Sequence, residues 1–329
     1  MTVELDRIDR RLLNLMQSDF PLVREPFAEL GKNLNLGAPE VLERVKRLQH
    51  EHIIRIIGPV FNSRNLGYRS TLVAMRIPEE GIERAAQMIN RNPGVGHNYE
   101  RGHFYNLWFT LAARGESALA EALGELREQI SPEDMVDLPA VKLFKIRLFF
   151  DLEGKGNHRG SEAPRELTTV VLPSLSASER AIINELQRQL PLVERPFDGI
   201  AQNAGMDVED FLAGCRSLKE RGLMRRFGAS IEQRHAGFTA GALVCWAVPE
   251  EKVDEAGMTM AGFPEVTHCY ERRTCPRWPR YNMFTMVHGD SPEHIEGIIS
   301  RMAAETSITE YEVLPTVREF KKERLKYEV

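Results

Sequence analysis

GVGHNYERGHFYNLWFTLA, Gly94 to Ala112, is the stretch whose reading decides the rest of this 329-residue chain. It returns as EVTHCYERRTCPRWPRYNMFTMVHG, Glu265 to Gly289. Both copies set His, Tyr and Arg at i, i+2 and i+4, then place Tyr-Asn ahead of an apolar run. Residues two apart in an extended strand share a face. His97, Tyr99 and Arg101 therefore point one way, and His268, Tyr270 and Arg272 do likewise. An imidazole, a phenol and a guanidinium on one face suit a large anionic ligand better than a core. The plain alternative is a hairpin whose polar face meets water, but two occurrences far apart in the chain favour the ligand.

Repetition extends outward from the motif in both directions. FPLVREPFAELGKNLNL (Phe20 to Leu36) recurs as LPLVERPFDGIAQNAGM (Leu190 to Met206), and LPAVKLFKIRL (Leu138 to Leu148) as LPTVREFKKERL (Leu314 to Leu325). The order is the same in both halves, so one unit of about 150 residues, a common domain size, is duplicated. Between the copies, Asp151 to Pro173 is rich in Gly and charge and reads as a linker. Its length lets the halves pack as a pseudo-symmetric pair, as two subunits would.

Each unit opens with a three-helix pattern. Ile8, Leu12, Leu13, Leu15 and Met16 form one helical stripe, Pro26 marks a first turn ahead of Phe27 and Leu30, and Val41, Leu42, Val45 and Leu48 mark a third helix. The β-branched run Ile53 to Ile57 reads as a wing or first strand. Copy two repeats the pattern with Ile182, Ile183 and Leu186, then Phe197 and Ile200, then Phe211, Leu212 and Leu218. This predicts helix-turn-helix heads over 1–60 and 174–230. Each unit continues as strand, helix, strand, strand, helix, strand; in copy one these are Ser70 to Ile77, Gly81 to Asn90, Val95 to Glu100, Tyr105 to Ala112, Ser117 to Gln129 and Val136 to Leu148. The fold class expected is α+β: two tandem units, each a head plus a ferredoxin-like βαββαβ domain, over 66–150 and 236–329. In such a sheet the face away from the helices is open to a ligand or a partner sheet.

A chain of this length buries substantial cores, and its 42% hydrophobic and 28% charged residues are those of an ordinary globular protein. A formal charge of −5 does not point to a life on nucleic acid or anionic membrane. No apolar run approaches the roughly 20 residues of a membrane helix, and MTVELDRIDRR lacks the apolar core of a signal peptide. A cytoplasmic protein is expected. The four cysteines, Cys215, Cys245, Cys269 and Cys275, form no CxxC pair; no zinc or other metal site is expected, and they read as free thiols.

LDRIDRRLLNLMQSD followed by VLERVKRLQHEHIIR resembles the N-terminal pattern of the leucine-responsive regulator family, Lrp/AsnC. The resemblance implies a DNA-binding head and a ligand-binding, oligomerising αβ body. The residues argue against DNA. A recognition helix presents its N-terminal residues to bases and phosphates, and here those are Ala38, Pro39, Glu40 and Glu43 in copy one and Asp207, Glu209 and Asp210 in copy two. Carboxylates facing phosphate are repelled, so the heads read as structural.

Within this superfamily the duplicated HxYxR motif resembles siroheme decarboxylase over nearly the whole chain. The first half is similar to one subunit type through GVGHNYERGHFYNLWFTL and the second to its partner through VTHCYERRTCPRWPRYNMFTMVHG, as in a fused two-subunit form. That resemblance implies removal of the C12 and C18 acetate carboxyls of siroheme, giving 12,18-didecarboxysiroheme, without an added cofactor. The product would feed haem or d-type haem synthesis, and the sequence does not say which.

For such a polycarboxylate the candidate substrate-binding residues are Arg101, Arg272, Arg273 and Arg277, with Arg280 beside them, as bidentate forks at the rim. Tyr105, Tyr281 and Trp278, with Trp108 and Phe284, offer flat apolar area, Trp278 above all because it sits between prolines in an inserted hairpin. The candidate catalytic residues are His97 and His268 with their partners Tyr99 and Tyr270. A histidine here reads as a general acid, as an axial ligand to the substrate's iron, or as a structural hydrogen-bonding group. His103 and His288 are near enough to substitute; His50, His52, His158, His235 and His294 have no assigned role. About five extra residues between Arg272 and Tyr281 make the hairpins unequal, which hints at one dominant pocket. The halves are expected to form an internal pseudo-dimer, with a further homo-oligomer open. A tetrapyrrole-sensing transcriptional regulator and a non-catalytic tetrapyrrole-binding protein are the rival readings.

Overall fold

The computed structural model describes residues 4–146, 149, 151–153, 164–167, 174–232 and 240–329. His158, His235 and most of the expected linker lie outside the described residues.

Each head forms as its sequence pattern dictates. In copy one, α1 (Arg7–Ser18) starts at a capping box in which the Asp6 carboxylate accepts from the Asp9 N–H and Asp9 accepts in return. α2 (Pro26–Leu34) has proline in its first turn, and α3 (Ala38–His50) and β1 (Ile54–Phe61) follow. The first body holds β2 (Tyr68–Arg76), α4 (Ile82–Arg91), β3 (Val95–Arg101), β4 (Leu107–Arg114), α5 (Gly115–Ile130) and β5 (Asp134–Ile146). A two-residue β6 (Arg165–Glu166) lies within the expected linker. Copy two repeats the plan with α6 (Ala177–Leu186), α7 (Pro196–Asn203), α8 (Val208–Glu220) and β7 (Met224–Ile231), then β8 (Ala240–Trp246), α9 (Val253–Gly262), β9 (Val266–Arg272), β10 (Met283–Gly289), α10 (Pro292–Thr306) and β11 (Tyr311–Lys322).

Neither head stands alone. β1 and β7, expected as separate wings, pair with each other antiparallel, with the sequence-equivalent glycines Gly58 and Gly228 face to face at the centre. One core runs through both heads, including Leu12, Met16 and Phe20 of copy one and Phe197, Phe211 and Phe227 of copy two. The repeated Val-Arg-Glu-Pro of copy one is Val-Glu-Arg-Pro in copy two, and the reversal places opposite charges together: Arg24 with Asp198 at 3.1 Å, Glu25 with Arg195 at 2.8 Å. The basic residues of α3 are tied internally, Arg44 to Asp6, Asp9 and Glu40, and Arg47 to Asp9 and Glu51. The exposed start of that helix is left with Pro39, Glu40 and Glu43, a poor surface for a phosphate backbone.

The bodies share their strands. β5 pairs with β2 from Asp134 to Pro139, then with β9 from Ala140 onward. β11 pairs with β8 up to Pro315, then with β3 from Thr316. Each long strand thus begins in one copy and ends in the other, and the hand-over falls at the repeated Leu-Pro. Proline cannot donate to a ladder, while its carbonyl still accepts across the gap, Pro139 from the Arg273 N–H at 3.0 Å and Pro315 from the Gly102 N–H at 3.4 Å. The result is a nine-stranded sheet in the order β2-β4-β3-β11-β8-β10-β9-β5-β6, and because β5 also pairs with β2 all but β6 close into a ring. The open sheet faces expected from the ferredoxin-like plan face each other inside this ring. α4 and α5 cover the outside of one wall and α9 and α10 the other, each over its own apolar cluster.

Glycine is required where the heads meet. A Cβ on Gly228 would lie 2.7 Å from the Met16 carbonyl oxygen, whereas a Cβ on Gly124, in the exposed face of α5, would meet nothing within 4 Å. We expect Gly228→Ala to destabilise the fold by about 1–3 kcal/mol and Gly124→Ala to stabilise it by about 0.5–1 kcal/mol. Denaturant midpoints of the two variants check this.

Candidate active site

β3 and β9, which carry the two triplets, are fourth neighbours whichever way the ring is followed, so they form opposite walls. On each strand one face meets the helices. Asn98 donates to the Ala86 carbonyl at 3.3 Å and to Asn90 Oδ1 at 2.9 Å, and the Cys269 thiol lies against the Gly257 carbonyl. The alternate residues therefore face inward. His97, Tyr99 and Arg101 look across the interior at His268, Tyr270 and Arg272. A register shift sits beside each histidine, between Val95 and His97 in copy one and between Met286 and Val287 opposite Val266–His268 in copy two. Such bulges re-aim the side chains next to them.

The arginines lie at the inner end of each triplet and reach into the other copy. Arg101 donates through Nη1 to the Leu314 carbonyl at 2.9 Å and to Thr316 Oγ1 at 3.2 Å; Arg272 donates through Nη1 to the Leu138 carbonyl at 2.7 Å. Each guanidinium stacks over the tyrosine two residues before it, at 5.2 Å for Arg101 on Tyr99 and 5.0 Å for Arg272 on Tyr270. Neither has a carboxylate partner among the described residues, and both Nε atoms are buried without a hydrogen bond. Burial lowers both guanidinium pKa values to about 10. These are fixed positive charges held by backbone carbonyls and a hydroxyl rather than by a bonded carboxylate. They were expected at a rim and are found at depth, because the exchanged strand carbonyls draw them in.

The histidines lie nearer the heads. His97 Nδ1 is 3.2 Å from the Tyr99 hydroxyl. His268 Nδ1 is 2.9 Å from Thr267 Oγ1, which is 3.1 Å from Nε2 of His288 on β10. Burial first, and neighbouring cations second, pull their pKa values down: His97, beside Lys322 and Arg55, to about 4; His268, beside His97, His288, Arg272 and Lys145, to about 3; His288, beside Lys322, to about 4. Desolvation likewise raises both triplet tyrosines. All three imidazoles are therefore neutral at pH 7. The heads close over this end with Arg55 and Arg225, joined by Arg64 of the connection after β1 and Arg324 of the segment after β11. Arg55 donates to the Lys322 carbonyl at 2.7 Å and Arg324 to the Pro59 carbonyl at 3.2 Å. Composition does not reveal these residues; the repeat does, since Arg55 and Arg225 each stand three residues before the paired glycines.

The other end of the ring is plugged. Trp278, expected as a stacking surface, is 5% exposed and packs on His103, Tyr105, Trp108, Tyr281 and Phe284, with its N–H on the Tyr281 carbonyl at 3.0 Å. The inserted hairpin of copy two thus seals the interior against copy one. Tyr105 donates to Asp134 Oδ2 at 2.7 Å, and Arg277 pairs with the same carboxylate. Arg280 pairs with Glu310 and His103 with Glu312, while Arg273 is exposed and held through its backbone N–H. From Arg272 back to His268 is four strand residues, about 13 Å, so Trp278, Tyr105, Tyr281, Arg273 and Arg277 belong to the plug rather than to the histidine end. The insertion was read as a ligand-facing loop; its aromatics were instead needed as core. The four cysteines are free thiols and, among the described residues, no cluster of His, Cys, Asp or Glu could hold a metal ion. No described helix is long and apolar enough to cross a membrane.

A model of the AsnC-like ligand binding domain matches residues 65–145 and 235–321, and one of the siroheme decarboxylase NirDL-like HTH domain matches 9–55 and 179–225. A siroheme decarboxylase of Hydrogenobacter thermophilus is 38% identical over 96% of this chain and 94% of its own length. The chain belongs to the siroheme decarboxylase family. Within the family, the crystal structure of the siroheme decarboxylase NirDL in complex with an iron-uroporphyrin III analogue matches 98% of this chain and 94% of that chain, with TM-score 0.74 and 34% identity. A siroheme decarboxylase beta subunit of Methanosarcina barkeri is 42% identical over 43% of this chain and 92% of its own length. The family thus includes half-length subunits, and here two such units are joined.

The neutral histidines tie stability to pH. In the unfolded chain each binds a proton near its ordinary value of 6.5, but in the folded chain not until pH reaches about 3 to 4. Below 6.5 the unfolded state therefore holds more protons, and folding weakens as pH falls from 6.5 towards 4. The denaturant midpoint should be level above pH 7 and decline from 6.5 downward. Gln in place of all three histidines should flatten the decline between 6.5 and 5.

Proposed function

We propose that this chain decarboxylates siroheme, removing the C12 and C18 acetate carboxyls to give 12,18-didecarboxysiroheme with no added cofactor. The observation that carries the reading is the pair of His-Tyr-Arg triplets facing each other inside one closed ring, over two guanidiniums that, among the described residues, are hydrogen-bonded to no carboxylate. A polycarboxylate supplies the counter-charges. Its carboxylates reach Arg101 and Arg272 at one side and the arginines at the head end on the other, and its macrocycle the stacked phenols of Tyr99 and Tyr270. The iron enters and leaves with the substrate.

Each turnover converts a –CH2–COO− arm and one proton into –CH3 and carbon dioxide. Departure of carbon dioxide leaves its electron pair on the methylene carbon, conjugated with the pyrrole, and a positioned acid must deliver a proton there. Imidazole serves, and the desolvation that disfavours a charged imidazole at this end of the ring is offset when carboxylates arrive, because a nearby anion favours the charged form. Substrate thus loads the acid that acts on it. The dry interior also favours conversion of a carboxylate into neutral carbon dioxide. A regulator reading needs a head that meets phosphate, and the exposed acidic starts of α3 and α8 oppose it.

Anaerobic incubation with siroheme, followed by product mass, should show stepwise loss of two carbon dioxide units. An unchanged mass with a shifted absorption spectrum would instead indicate a carrier. Arg272→Met should leave stability unchanged or raise it by about 1 kcal/mol, since a buried unpaired charge is removed. It should weaken siroheme binding at least about tenfold, read by absorption titration.

A further inference from the structure

The two triplets are built alike, but what stands behind their histidines is not. In copy two, the Thr267 hydroxyl lies between His268 Nδ1, at 2.9 Å, and His288 Nε2, at 3.1 Å. The hydroxyl and its second partner sit away from bulk water, Thr267 2% and His288 4% exposed. At the equivalent positions copy one has Gly96 and Ala112, neither of which can carry or pass a proton. His97 has only the Tyr99 hydroxyl on its Nδ1, 3.2 Å away.

We infer that Thr267 and His288 form a relay that positions His268 and returns a proton to it, so that the second copy's triplet is the one that protonates the substrate. This rests on the decarboxylase reading above. A threonine hydroxyl has one proton to give and lone pairs to receive. When it donates to His268 Nδ1 and accepts from His288 Nε2–H, His268 carries its own proton on Nε2, the nitrogen left for substrate. As the methylene carbon takes that proton, the Nε2–H bond breaks and a C–H bond forms. The Thr267 proton moves to Nδ1 of His268, and the Nε2 proton of a doubly protonated His288 moves to Thr267, leaving His288 neutral. His268 never passes through an imidazolate. One proton is taken up overall for each carbon dioxide released; it returns His288 to its charged form once the product has left, and the ring and hydroxyl then reset. Thr267 and His288 are positioning residues: they act through His268 and touch no reacting atom.

The charged and titratable groups facing this chain of atoms are His97 on β3, Arg272 on β9, Lys145 on β5 and Lys322 on β11. Apart from His97 these are basic side chains, which oppose a further positive charge on the relay; an anionic substrate favours it.

The test is turnover of siroheme by full-length Thr267→Val, Thr267→Ser and His288→Gln, with product mass read at each carbon dioxide loss. Wild-type turnover is the prior condition; if wild type releases no carbon dioxide, the decarboxylase reading itself fails. With wild type active, Thr267→Val should lower kcat at least about tenfold for both losses with KM within about twofold, and Thr267→Ser should restore it. His288→Gln should lower kcat likewise and move the pH at which the rate halves by one unit or more. A second readout is independent of turnover: the tautomer of His268 by nitrogen-15 histidine NMR, Nε2–H in wild type and mixed in Thr267→Val. Turnover by Thr267→Val within twofold of wild type, or slowing of only one of the two losses, overturns the proposal. So does an unchanged His268 tautomer in that variant, or failure of Thr267→Ser to restore rate when it folds as wild type.

Discussion

Everything in this molecule depends on two strands leaving home. β5 and β11 each pair with their own copy up to a proline and with the other copy after it. Had they stayed, each body would be a sheet with one face covered by helices and the other exposed, an apolar surface too large to leave wet. Their exchange closes the ring, puts the motif strands on opposite walls and turns two shallow faces into one interior. It also places backbone carbonyls of each copy against the arginine of the other. The same event that completes the fold thus assembles the site, and neither half has a site alone.

The interior is electrostatically unfinished. Arg101 is buried and Arg272 half-buried, each on a backbone carbonyl and, among the described residues, with no bonded carboxylate, and desolvation lowers the pKa of three imidazoles. Replacing such charges by apolar groups commonly stabilises a fold, so their presence is a cost that a bound polyanion offsets. Stability sits elsewhere, in the shared core of the heads and in the aromatic plug around Trp278. That division lets the ring hold a positive, desolvated space without unfolding. It also explains why the heads carry so many side chains unrelated to DNA: they are the lid of this space and part of its charge.

The duplication, the element order and the inward face of each triplet were legible because periodicity and repetition are local properties of the sequence. The strand exchange was not. The repeated Leu138-Pro139 and Leu314-Pro315 marked it, since proline in a long strand must lie where the ladder is interrupted, but the pattern names no partner. Trp278 was misplaced for a related reason. An inserted aromatic between prolines looks like a loop, and only the closed ring shows that its far end needs filling. Arg101 and Arg272 were found as residues but assigned to a rim, because depth is set by the exchanged strands and no spacing along one strand reports it. Within the stretch that reads as a linker, Arg165–Glu166 pairs with Lys142 and Leu143 on the edge that β5 exposes after leaving β2; nothing in its composition marks that pairing.

Fusion of two copies removes the need for them to be the same. Where the heads meet, Arg24 and Glu25 of copy one face Asp198 and Arg195 of copy two. Pairing copy one with itself would set Glu25 against Glu25, so the reversed order favours the unlike pair. Exposed ion pairs contribute little to stability, and their effect is on which surfaces meet. Inside the ring the same freedom appears at Gly96 and Thr267 and at Ala112 and His288. Gly96 passes close under the chain, where a Cβ would lie 3.1 Å from the Glu323 carbonyl oxygen, so copy one is constrained to a small residue at the position where copy two places a hydroxyl. A symmetric dimer would have to carry either the hydroxyl or the close approach on both sides. A fused pair carries one of each, and a substrate whose two acetates differ only in position can be gripped by one wall while it is protonated from the other.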